Sequence, residues 1–141
     1  AFMVQSGQFS WVPALYDIPV ALLVDAVLHS NNLRDIENDT VAHIKTVPIL
    51  FGESFAKRMY YGLVFGAYLL IPVLILAAGL PWLSLLTLIS LPMAIKAARM
   101  IKDKAAIPEK QFAMIDAITA QLHSAFSVLL IAALLIQHFI N

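Results

Sequence analysis

Four apolar stretches dominate this chain, and lipid is the solvent they fit. Residues 11–29 run for nineteen positions interrupted only by Asp17 and Asp25, and residues 59–80 run for twenty-two without a charge. Residues 82–95 are shorter, but the stretch extends toward Met100 once the Lys96 side chain snorkels along its own stem. Residues 117–136 give twenty more, with Gln121 and His123 inside. About 20 residues of α-helix cross a hydrocarbon core. In lipid the backbone must satisfy its own polar groups, which leaves helices or closed barrels. Period-two alternation is absent, so a barrel is disfavoured. The expected fold is an all-α integral membrane bundle with four transmembrane helices, over about 11–35, 55–79, 81–101 and 113–139.

Composition agrees. The chain is 61% hydrophobic and 13% charged, against about 25% charged in a typical soluble domain. This is a membrane composition, and it disfavours a soluble enzyme. Net charge is zero, which argues against nucleic acid as a partner. With no cysteine, disulfides and thiolate metal sites are ruled out. Arg34 is the first basic residue, so the opening lacks the basic n-region of a signal peptide. The apolar start at Ala1–Val4 suggests a chain that begins partway through a longer protein.

Punctuation and charge orient the bundle. Gly79-Leu80-Pro81 marks a tight turn between the second and third spans, and the polar run 102–111, with Pro108, is expected to be a loop. Pro13, Pro19, Pro72 and Pro92 fall in or near spans, where membrane helices tolerate them. Four spans put all nine basic residues on one side: Arg34, Lys45, Lys57, Arg58, Lys96, Arg99, Lys102, Lys104 and Lys110. The positive-inside rule makes that side cytoplasmic, so the expected location is the inner (cytoplasmic) membrane of the cell. Trp11, Trp82, Tyr60 and Tyr61 are expected to be interfacial anchors.

The stretch HSNNLRDIENDTVAHIKT, residues 29–46, lies at the cytoplasmic mouth of the first span. If the helix continues, Asn31, Asp35 and Asp39 recur every four residues on one face, with Asn32 beside them. Glu37 is then turned away by roughly 200°. Two carboxylates on successive turns, with an amide nearby, suit Mg2+ shared with substrate phosphates. Arg34 and Lys45 are placed to meet phosphate oxygens. A solvated acidic-basic loop is the competing reading. An EF-hand fails on spacing, since Thr40 and Thr46 occupy its required Gly and Glu positions.

Asp25 sits inside the first span, on one stripe with Asn32 and Asp39 and about 10 Å deeper than Asn32. It is expected either to contact substrate or to make an interhelical hydrogen bond, with His29 as a structural neighbour. Asp116, Thr119, His123 and Ser127 form a stripe on the last span, expected to face other helices as polar glue.

The residues NNLRDIENDTVAHIKTVPILFG resemble the second aspartate-rich segment of the UbiA superfamily of membrane prenyltransferases. They are most similar to its 1,4-dihydroxy-2-naphthoate branch, whose segment reads approximately NNxRDxExDxxxGKxTLxxxxG. The match covers Asn31, Asn32, Arg34, Asp35, Glu37, Asp39, Thr46 and Gly52, with Lys45 in place of the basic pair. TAQLHSAFSVLLIAALL, from Thr119, resembles the last helix of the same group.

The resemblance implies a nine-helix fold of which this chain forms the last four helices. It implies Mg2+ as cofactor, held by Asp35 and Asp39. Asn31, Asn32 and Arg34 would bind the diphosphate of a polyprenyl donor, and Lys45 would neutralise it as it leaves. The implied partners are polyprenyl diphosphate, an aromatic acceptor, the lipid bilayer, and an upstream half on this chain or another. The implied reaction is prenylation of 1,4-dihydroxy-2-naphthoate or a similar acceptor in menaquinone-type quinone synthesis. Other aromatic or chlorophyll-precursor acceptors, and a non-catalytic subunit that keeps the fold, are the alternatives. Three features depart from the pattern: an NDxxD-type first segment is not among these residues, nor is the first-half loop that usually supplies a further Tyr and Lys, and His43 and Ile44 stand where Gly-Lys is usual.

Overall fold

The computed structural model describes residue 7 and residues 9–140. The described residues form only helices and the turns between them. Helix α1 spans Val12–Arg34, the short α2 Ile36–Val41 and α3 Val47–Phe51, and the long α4 Glu53–Ala78. A 3₁₀ segment, Trp82–Ser90, runs into α5, Leu91–Lys102. A further 3₁₀ turn at Lys104–Ala106 and the short α6, Glu109–Phe112, lead to α7, Ile115–Ile140. Four of these rods are long and apolar enough to cross a membrane. Their ends lie within two residues of the expected spans, with the third made of the 3₁₀ segment plus α5. The expected loop at 102–111 instead carries a 3₁₀ turn and α6.

Each long helix buries one stripe. In α4 the buried Ala56, Tyr60, Val64, Ala67, Ile71 and Leu74 are spaced by threes and fours, as a single helical face requires, and Tyr68 is buried beside them. They pack with Leu23, Ala26 and Leu33 of α1 and Ile115, Leu122, Phe126 and Leu130 of α7. Small residues let the rods approach closely: Ala94 and Ala97 of α5 and Ala133 of α7 are fully buried. The opposite faces carry exposed Leu69, Leu76, Ile89, Val128 and Ile131. Such a surface is stable beside lipid and costly in water.

Two pairs of polar side chains bridge the rods. Tyr60 Oη lies 2.8 Å from Thr119 Oγ1, and Tyr68 Oη 2.7 Å from Ser90 Oγ. Tyr60 is therefore not an interfacial anchor. It is fully buried, because its place on the α4 stripe outweighs its nearness to Lys57 and Arg58. Trp11 and Trp82 are largely exposed at the end away from the basic residues, as anchors would be.

The 3₁₀ winding of the third span has a sequence cause. Ser84, Thr87 and Ser90 recur every three residues, the period of a 3₁₀ helix, and all three are buried. Thr87 and Ser90 donate their hydroxyls to the carbonyls of Ser84 and Thr87, each at 2.7 Å. The turn before it closes on Gly79, whose φ of 71° favours glycine. Tyr16 Oη donates to Ala78 O at 2.9 Å and ties α1 to the same end.

Candidate functional site

At the basic end, α1 stops at Arg34 and α2 begins at Ile36, with Asp35 between them at φ −96° and ψ 16°. The break is slight. Asp35 N–H still bonds Asn31 O at 2.9 Å, and Asp39 N–H bonds Asp35 O at 2.8 Å. Asn31, Asp35 and Asp39 thus remain one turn apart along an almost continuous helical path. Asn31, Asn32, Asp35 and Asp39 are half-buried, whereas Lys45 is exposed.

The Asp35 side chain is turned toward Arg34. Arg34 Nε and Nη2 donate to its two carboxylate oxygens at 2.8 and 2.7 Å. This charge-assisted fork holds the Asp35 carboxyl below the usual carboxylate range. The third donor used, Arg34 Nη1, bonds Asp116 at the start of α7. Lys104 donates to Leu33 O at 2.8 Å and lies 5.3 Å from the centroid of the Phe112 ring. The mouth of α1 is therefore fastened to α7 and to the α5–α7 connection by two cations.

Between these elements lies a groove of about 440 Å³, lined by Arg34, Asp35, Glu37, Asn38, Lys104 and Phe112 among others. Glu37 lines it beside Asp35, and Asp39 does not. A second groove, of about 500 Å³, lies along the outward face of α5 and includes none of the motif residues.

Among the described residues no three His, Asp or Glu side chains converge into a complete metal shell. The oxygen donors at the mouth fit a cation of another kind. Asn31 Oδ1 is buried without a hydrogen-bond partner, which is costly unless something binds it. Along the helix it stands one turn before Asp35 and two before Asp39, a neutral oxygen in register with two carboxylate positions. Such a partial, all-oxygen set suits a hard cation whose remaining ligands are water and substrate phosphate.

Deeper in α1, Asp25 is exposed on the bundle surface. The interhelical hydrogen bond expected for it is not formed among the described residues, because it lies opposite the buried Leu23 and Ala26. His29 is buried instead, and its Nε2 lies 2.8 Å from Ala56 O of α4. The polar stripe of α7 does face inward: Asp116 meets Arg34 and Thr119 meets Tyr60, while His123 Nε2 and Ser127 Oγ are buried without partners.

Sequence reasoning passed over Asp116 and Lys104 as parts of this site. Asp116 starts the stripe that Thr119 continues, so its inward direction was readable; its partner, 82 residues away, was not.

Residues 1–125 match the UbiA prenyltransferase family. A UbiA prenyltransferase domain-containing protein 1 homolog of Drosophila melanogaster is 36% identical over 138 residues, covering 98% of this chain and 36% of that protein. UbiA prenyltransferase domain-containing protein 1 of Danio rerio is 40% identical over 112 residues, covering 78% and 33% respectively. The Homo sapiens protein of the same name is 39% identical over 105 residues, covering 74% and 30%. The chain thus spans about a third of the length of the curated relatives it matches. No solved structure matches it.

Proposed function

The chain belongs to the UbiA prenyltransferase family, and on that premise we propose that its acidic segment binds the diphosphate of a polyprenyl donor, through Mg2+, for transfer of the prenyl group to an aromatic acceptor. The acceptor we favour is 1,4-dihydroxy-2-naphthoate or a close relative, in menaquinone-type quinone synthesis. We place the acidic segment on the cytoplasmic face of the membrane, the side that carries every lysine and arginine.

The observation that carries the reading is Asn31 Oδ1, buried and unpartnered a turn from Asp35 at the polar mouth of a lipid-spanning helix. When bound, Mg2+ supplies positive charge against the oxygens of the departing diphosphate. Asp35 and Asp39 would hold it, with Asn31 as a neutral oxygen donor. Asn32 would border the diphosphate, and Lys45, exposed beyond α2, would meet its outer oxygens. As the allylic C–O bond breaks, the electron pair leaves with the diphosphate, whose growing charge Lys45 would oppose. The aromatic carbon then bonds the allylic cation and loses its proton. The apolar spans would give the prenyl chain a lipid-like path, and Asp25, deeper in α1, would hold an acceptor hydroxyl.

The test is the initial rate of prenyl transfer against Mg2+ concentration in the complete protein. Asp35→Ala and Asp39→Ala are each expected to lower the rate by about a hundredfold or more, with partial rescue at high Mg2+. Lys45→Ala is expected to cost less. Full activity in the Asp35/Asp39 double alanine variant would reduce the cluster to a solvated loop.

A further inference from the structure

We infer that Asp116, at the head of α7, is a positioning residue for the acidic segment: by sharing the Arg34 guanidinium with Asp35, it keeps that ion pair from being charge-neutral and adds negative charge beside the proposed cation position. The inference rests on the reading of Asp35 as a metal ligand.

Arg34 closes on both Asp35 oxygens, at 2.8 and 2.7 Å. Alone, that fork would make a neutral, self-satisfied pair with little attraction for Mg2+. Asp116 changes the sum. It engages Arg34 Nη1, so one cation serves two carboxylates and the trio keeps one negative charge. Its orientation is fixed locally, because its other oxygen accepts Ala117 N–H at 2.8 Å. All three side chains are between 28% and 31% exposed, so solvent screens this charge only in part.

Asp116 also holds Arg34 from the side. Each Asp35 oxygen has lone pairs left after the fork. With Nη1 anchored on α7, Arg34 is kept from folding further over those free positions. The mechanical tie does not depend on Asp116 alone, since Lys104 separately grips Leu33 O at 2.8 Å. Loss of the Asp116 charge therefore leaves the helix end fastened, and the electrostatic role can be measured apart from folding.

The experiment uses the complete protein with Asp116→Asn and Asp116→Glu, and Asp35→Ala in parallel. Two quantities are read: the Mg2+ concentration giving half-maximal rate, and the thermal stabilisation conferred by Mg2+ plus inorganic diphosphate, which needs no turnover. Asp116→Asn should raise the half-saturating Mg2+ concentration roughly five- to tenfold, leave kcat at saturating Mg2+ within about twofold, and shrink the thermal shift. Asp116→Glu should restore both readouts. An unchanged Mg2+ dependence in Asp116→Asn, with Asp35→Ala strongly affected, overturns this inference alone. An unchanged Mg2+ dependence in Asp35→Ala overturns the underlying reading of the site, and the inference with it.

Discussion

The two sides of α1 carry polar residues in opposite circumstances. On the inner side, His29 is buried at 2.8 Å from Ala56 O and Ser30 donates to Val27 O at 2.7 Å, between fully buried Leu23, Ala26 and Leu33. On the outer side, Asp17 and Asp25 are exposed beside Leu28 and Val24, with no hydrogen-bond or ion-pair partner among the described residues. The inner polar groups are cheap because each is satisfied within the bundle. An ionisable side chain on the outer side, at membrane depth, is expensive wherever lipid meets it. Its presence therefore points outward, to substrate, water or further protein. One side of the helix builds the fold, and the other turns its ionisable groups outward.

The largest expected effect breaks the inner side. His29→Ala removes a buried bond to α4 and leaves a cavity between two spans, so about 2–4 kcal/mol of stability should be lost. Thermal unfolding in detergent measures it. A variant as stable as the parent would mean that the His29–Ala56 contact does not hold α1 to α4.

Asp25→Asn addresses the outer side and separates stability from function. The substitution keeps the shape and touches no described partner, so unfolding should shift by no more than about 0.5 kcal/mol. If Asp25 holds the acceptor, KM for the acceptor should rise about tenfold while donor KM stays near its original value, because one hydrogen bond to a charged group is worth about 1.5–3 kcal/mol. A large loss of stability with unchanged kinetics would show that Asp25 is packed against other protein, and would erase the contrast between the two sides.

The same contrast explains what could be read in the sequence. The four spans were legible because lipid leaves few ways to satisfy a backbone, and length with apolarity is enough to find them. The α4 stripe is legible too, yet Tyr60 reads, with Tyr61, Trp11 and Trp82, as an aromatic anchor. The spacing Ala56, Tyr60, Val64, Ala67 would have put it inside. The three-residue recurrence of Ser84, Thr87 and Ser90 marked the 3₁₀ segment, but a search for spans asks only about apolarity. At the mouth, the motif located Asn31, Asp35 and Asp39 on successive turns. What no local pattern carries is the direction of the Asp35 side chain, since that is set by Arg34 and by Asp116 on the last helix. Pairings across the chain are decided by packing, and one sequence does not print them.

The smallest effect concerns the outer side beyond Asp39, where α2 ends by backbone geometry. Ile44 N–H bonds Asp39 O at 2.9 Å and His43 N–H bonds Thr40 O at 3.2 Å, the crossed pair of a Schellman stop. That stop needs a left-handed residue, and His43 occupies it at φ 56°. This is the position where the resembling segment carries glycine, so the departure is conformational as well as chemical. A side chain with a Cβ is strained there by about 1–2 kcal/mol, and glycine relieves the strain while giving back part of it as unfolded-state entropy. His43 is exposed, so little packing is lost. His43→Gly should therefore stabilise the protein by about 0.5–1 kcal/mol, seen as a modest rise in the unfolding temperature in detergent. On the proposed reading of the site, the Mg2+ dependence of prenyl transfer should be unchanged, since Asn31, Asp35 and Asp39 are untouched. A clear loss of stability would mean that the His43 ring is held by a partner on the outer side. That side would then be a packed surface at its cytoplasmic end, and the division between a built face and an outward one would stop at Asp39.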